Sequence, residues 1–130
     1  MVKLTFQHLA ERDYNMETLN EFELSLLENL VYQHPKIRAH IPHLLVLNRE
    51  CTGVGMYINF CDYNLFGAVD LFIGLPYDVL SPNERIIIPE LQYGLGYEVD
   101  LSEGKIRFIE IFTYGEEWNC KISKFKLENL

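Results

Sequence analysis

Apolar residues recur at helical spacing over residues 18–31 and at near-alternating spacing over most of residues 54–127. The chain therefore reads as a helical first third followed by a strand-rich remainder. Over 18–31, Leu19, Phe22, Leu26, Leu27 and Leu30 share one helical face, and Asn20, Glu21, Glu23 and Glu28 fill the other. Asn15 or Thr18 is suited to cap this helix, and acidic residues in its first turn favour the dipole. His34-Pro35 ends it, because the residue before a proline is pushed out of helical geometry. Pro35 then opens a second, short helix that runs to about His40 and stops at Pro42.

The strands follow. Residues 43–49 contain the apolar run Leu44-Leu45-Val46-Leu47. Residues 54–61 place Val54, Met56, Ile58 and Phe60 on one side and Gly55, Tyr57, Asn59 and Cys61 on the other. Residues 66–73 are a further predicted strand, and 74–84, with Pro76 and Pro82, a loop that turns at Ser81-Pro82-Asn83. Closing strands are predicted over 85–91, 95–101, 105–114 and 119–127, punctuated by Gly94, Gly96, Gly104 and Gly115. The 105–114 strand is apolar on both sides and carries one carboxylate, Glu110, among its apolar residues.

A hairpin register follows if Leu101 to Gly104 form a four-residue loop with Gly104 left-handed. Asp100 then faces Lys105 and Glu98 faces Arg107. Glu110 falls opposite Leu95, on one apolar face with Tyr97, Val99, Ile106 and Phe108.

These elements make one α+β domain over residues 1–130, with a long N-terminal helix and a short one on a curved, mainly antiparallel sheet of five to seven strands. A strand apolar on both faces needs cover on both, so the sheet is expected to curve strongly or to receive cover from a partner chain, of which a homodimer is the simplest.

Composition narrows the function classes. The net charge is −8, and the 11 Lys and Arg are spread along the chain. That disfavours nucleic acid and anionic membrane surfaces and suits a basic protein partner. No stretch approaches the roughly 20 apolar residues that cross a bilayer, and residues 1–8 do not resemble a secretory signal. Cys51, Cys61 and Cys120 are odd in number and have no C-x-x-C spacing, which predicts free thiols and a cytoplasmic location.

Candidate chemistry is sparse. Glu110 is the residue to watch as a general acid or base, although a buried carboxylate more commonly accepts structural hydrogen bonds. His34, His40 and His43, with Cys51, match no zinc spacing, so no metal is expected. Gly53-Val54-Gly55 and Gly94-Leu95-Gly96 lack the third glycine and the helix of a dinucleotide loop, so no cofactor is expected either. Glu98, Asp100, Glu116 and Glu117, with Asp62 and Asp70, suggest an acidic docking rim. Tyr93, Tyr114 and Trp118 are candidate aromatic anchors beside it.

Residues 49–57, Arg-Glu-Cys-Thr-Gly-Val-Gly-Met-Tyr, resemble an RE-x-TG-x-G-x-Y/F segment. Gly94-Leu95-Gly96-Tyr97, Gly104-Lys105-Ile106 and the run from Ile109 to Trp118 resemble a G-x-G…DGKI…LEG-Y/F-TY-x-E-x-W ending, with Ile111 where that ending often has glycine. Both segments are similar to those of a family of small, single-domain bacterial proteins of unknown function. The resemblance implies an α+β fold and places Glu110, Thr113, Tyr114, Glu116 and Trp118 in a recurring motif. It carries over no catalytic residue.

Three functions are compatible with the chain. The first is a non-enzymatic, acidic interaction module of inhibitor or immunity type. The second is a small-ligand domain with a pocket of a few hundred Å³ between helix and sheet. The third is an enzyme built on Glu110 with a tyrosine or histidine, which requires Glu110 to line a pocket open to solvent.

Overall fold

The computed structural model describes residues 16–61 and 77–130. The strand expected over 66–73, the acidic residues Asp62 and Asp70, and the cap candidate Asn15 lie outside them.

Helix α1, Glu21–Val31, buries Phe22, Leu26, Leu27 and Leu30. It starts later than the apolar spacing suggests because its cap is Asn20 rather than Thr18. The Asn20 side chain accepts from the Glu23 N–H at 2.8 Å, and the Glu23 carboxylate accepts from the Asn20 N–H at 3.0 Å. This reciprocal box satisfies two of the donors that a helix start leaves open. A 3-10 helix follows over Pro35–His43. Pro42 lies inside it rather than ending it, and Ile37 and His40 are buried.

The strands are β1 (Val46–Cys51), β2 (Gly55–Phe60), β3 (Tyr77–Leu80), β4 (Glu84–Ile87), β5 (Leu95–Ser102), β6 (Lys105–Thr113) and β7 (Lys126–Asn129). They form one open sheet in the order β1-β2-β6-β5-β4-β7, and β3 pairs with β5 beyond the end of β4. All the pairings are antiparallel. Residues 77–80, expected in a loop, thus extend the sheet: Asp78 and Val79 pair with Leu101 and Asp100.

One face of the sheet packs on α1. Met56, Ile58, Phe60, Leu95, Tyr97, Val99, Leu101, Ile106, Ile109 and Ile111 are all buried in a single core with α1, Ile37 and Leu44. Tyr97 crosses this core. Its hydroxyl donates to the Leu26 carbonyl at 2.8 Å and accepts from Asn29 Nδ2 at 3.0 Å. Burial holds its phenol well above the usual range.

The final strand is shorter than its composition suggests. Residues 114–125 run as an irregular strap, whose Cys120, Ile122 and Phe125 pack against the core. Phe125 meets Phe22 edge-on at 5.0 Å. Cys120 is bonded to Cys51, 69 positions earlier, and has φ 65°. Two of the three thiols expected to be free are therefore paired; Cys61 is free and buried. The left-handed residue and the covalent tie keep this stretch out of a regular ladder.

The β5–β6 hairpin differs from the expected register. Its loop has two residues, Glu103 and Gly104, both left-handed at φ 54° and 74°, which sets Ser102 opposite Lys105 and Leu101 opposite Ile106. The primed turn matches the twist of the strands better than a longer loop. Beyond it Asp100 pairs with Phe108, so Arg107 is an extra residue on β6. This bulge reverses the facing of everything after it. Ile109 and Ile111 turn into the core, and Phe108, Glu110 and Phe112 turn out. The expected Asp100–Lys105 and Glu98–Arg107 register pairs do not form, and Leu95 faces Thr113.

Candidate functional site

The outward face of β1, β2, β6 and β5 follows from that bulge. Register places Glu50 beside Tyr57, Tyr57 beside Glu110, and Glu110 beside Glu98. Phe108 and Phe112 flank Glu110 along β6. None of these side chains is buried, and among the described residues no helix packs over them.

Glu110 therefore lies on the opposite face from Tyr97, Val99 and Ile106, contrary to expectation. Tyr57 donates its hydroxyl to Glu110 at 3.3 Å. The Glu110 charge is the main cause of a raised Tyr57 phenol pKa, with smaller contributions from burial and Glu50. Glu98 and Glu110 oppose each other directly across β5 and β6, and neither makes an ion pair among the described residues. Opposed like charges at this spacing repel, so the pair raises the local affinity for a cation. Tyr57 and Phe108 meet edge-on at 5.7 Å and wall one side.

The other expected interaction residues divide between two places. Asp100 shares the outward face, where it pairs with Phe108. Tyr114 lies edge-on to Phe112 at 5.8 Å. Glu116 is committed to structure: its carboxylate accepts from the N–H groups of Gln92 at 3.0 Å and Tyr93 at 2.9 Å. Glu117 and Trp118 lie at the end of the sheet, in an open cleft of about 680 Å³ with Thr52, Gly53 and Glu90. Trp118 is buried there, and its backbone N–H donates to the Gly53 carbonyl at 2.8 Å, while its indole N–H is buried without a partner among the described residues.

The resembling segments are thus joined in space: Tyr57 meets Glu110, Gly53 meets Trp118, and the Thr113 hydroxyl donates to the Glu116 carbonyl at 2.7 Å. Arg49 serves the inner face. Its guanidinium grips the buried Glu23 carboxylate at 2.6 and 2.9 Å and also reaches Glu17. That bond to Glu23 chiefly raises the Arg49 pKa further.

A cleft of about 340 Å³ lies between the α1 start, Arg49 and the strap, where a pocket between helix and sheet was expected. Phe22, Met56 and Phe125 line it, but so does the closed Arg49–Glu23 pair. Glu110 lines none of these clefts. His40 is buried in the 3-10 helix, and burial first, then His43, lowers its pKa. Among the described residues no three His, Cys, Asp or Glu side chains gather as metal ligands. No described helix is long and apolar enough to cross a membrane.

Sequence pattern keeps Phe108 on the face of Glu110, as found, but misses Tyr57, Glu50 and Glu98 as its neighbours. Alternation in β2 does put Tyr57 on the polar side, which was the available signal; the bulge at Arg107 had none. The chain matches no family model, no curated protein and no solved structure.

Proposed function

We propose that this protein is a non-enzymatic interaction module that docks a basic partner protein on the outward face of its sheet. The observation that carries this is the unneutralised Glu98–Glu110 pair, set among Tyr57, Phe108 and Phe112. Carboxylates beside aromatic faces suit Arg and Lys, which gain a charge-assisted hydrogen bond and a cation–π contact together. The net charge of −8 adds long-range attraction for such a partner. An inhibitor or immunity role fits this chemistry. A family bond to small bacterial proteins of unknown function rests on the two resembling segments. Cytoplasmic placement remains part of the proposal, but it loses the support that three free thiols had lent it.

An enzyme built on Glu110 is less well supported, because Glu110 sits on an open face with a tyrosine and lines no cleft described above. The test is titration of an Arg-rich peptide against the wild type, the Glu98→Lys/Glu110→Lys double variant, and a Glu21→Lys/Glu28→Lys control on the helix. Loss of about tenfold in affinity, ~1.4 kcal/mol, in the face variant and little in the control supports docking there. Equal losses in both would reduce the effect to net charge and overturn the proposal.

A further inference from the structure

We propose that Arg85, Tyr93 and Tyr114 form a binding site for a small organic carboxylate with an apolar body. The three line a cleft of about 320 Å³ with Leu130. This site borders the docking face, where Tyr114 meets Phe112, but the proposal does not depend on docking.

Arg85 is the anomaly. Its neighbour Ile86 turns into the core, so Arg85 points to the outward side of β4. Its register partner on β7 is Glu128, yet Glu128 bridges Lys126 at 3.8 Å instead. Among the described residues Arg85 makes no ion pair, although the chain has 19 carboxylate side chains. Its Nε is buried and, among the described residues, has no hydrogen-bond partner. A buried donor left unmet is costly, and on a guanidinium the acceptor that meets it best is a carboxylate engaging the planar fork.

The walls are held in place by the chain. Glu116 fixes the backbone of Gln92 and Tyr93. Gly94 is left-handed at φ 69°, and a side chain there would strike the Ile86 carbonyl. Tyr114 lies over Gly96 beside Phe112, where a side chain on residue 96 would collide with both rings. Leu130 is pinned by its N–H to the Asn83 carbonyl at 3.0 Å. Tyr93 and Tyr114 stay 51% and 46% exposed, and neither hydroxyl has a hydrogen-bond partner among the described residues. Two exposed rings set by glycines and a dedicated carboxylate are the built sides of a site. The rings and Leu130 receive an apolar body, and the hydroxyls and guanidinium receive one anionic group. The single guanidinium favours a monoanion over a phosphate, and the volume falls at the small end of ligand sites.

The test is calorimetric titration of the folded protein with 3-phenylpropionate, its neutral amide and inorganic phosphate. Wild type is expected to bind the carboxylate at least about tenfold more tightly than the amide or phosphate. Arg85→Lys, which keeps the charge and removes Nε, is expected to lose about tenfold, and Tyr93→Phe with Tyr114→Phe a smaller factor. Because an Arg85 variant risks misfolding, the Arg85 Hε resonance is followed by NMR in the wild type, where carboxylate addition should shift it. No binding, equal binding of acid and amide, phosphate preferred over carboxylate, undiminished binding to a folded Arg85→Lys, or an unmoved Hε resonance would each overturn the proposal.

Discussion

The inner and outer faces of this sheet are built from the same strands and do different work. On the inner face Ile109 and Ile111 alternate into a core that closes around α1, and the buried Glu23 carboxylate is gripped by Arg49 and by the helix cap. On the outer face Glu110 lies between Phe108 and Phe112 and opposite Glu98, and among the described residues a tyrosine hydroxyl alone bonds its side chain. The buried carboxylate, Glu23, is thus satisfied, and the carboxylate that water reaches, Glu110, is left open. Desolvation makes an unpaired charge costly inside, whereas on a wet surface an unpaired carboxylate costs little and stays available to a partner.

Substitutions on the two faces should separate their roles. The Cys51–Cys120 bond fastens the strap over the inner side of the sheet and closes a loop of 69 positions. Replacing both cysteines by serine is expected to lower stability by about 4 kcal/mol on the chain-entropy account, read from denaturant midpoints. Arg49→Leu leaves Glu23 buried beside an apolar group and is expected to cost about 3 kcal/mol, whereas Glu98→Gln on the outer face stays within about 0.5 kcal/mol. Equal costs for the two would show that the faces are not distinct.

Within β6 itself, Ile109→Ala is expected to cost about 3 kcal/mol and Phe108→Ala under about 1 kcal/mol, although the two are adjacent in sequence. Reversal of that order in thermal melts would move the bulge. The smallest effect is electrostatic. Glu110→Gln removes the main cause of the raised Tyr57 phenol pKa, so the titration should fall back toward 10.0 in an ultraviolet pH scan. The sign also governs stability. A phenol raised on folding contributes stability that is full below the unfolded value and is lost as pH rises through the folded one, so Glu110→Gln should flatten the alkaline decline above about pH 10.

The helix, most of the strands and the acidic character are legible in the sequence because each is a local property. Leu26, Leu27 and Leu30 share a face whatever surrounds them. The facing of Glu110 is not local. Ile106 and Phe108 share one phase of an ideal strand, and only the competition between a two-residue turn and burial of Ile109 and Ile111 inserts Arg107 as an extra residue. The Cys51–Cys120 pair is equally hidden, since three cysteines allow several pairings and only the path of the strap brings these two together. Arg85 reads in sequence as one more surface cation. Its distinction is a buried Nε without a hydrogen-bond partner among the described residues, which is a property of the space around it.

By itself the sequence determined an α+β domain with an acidic surface, since periodicity and charge act over a few residues. The tertiary structure decided which face carries Glu110, which cysteines join and that, among the described residues, the Arg85 Nε is buried without a partner. Those outcomes depend on register and chain path, where one extra residue reverses every side chain that follows it.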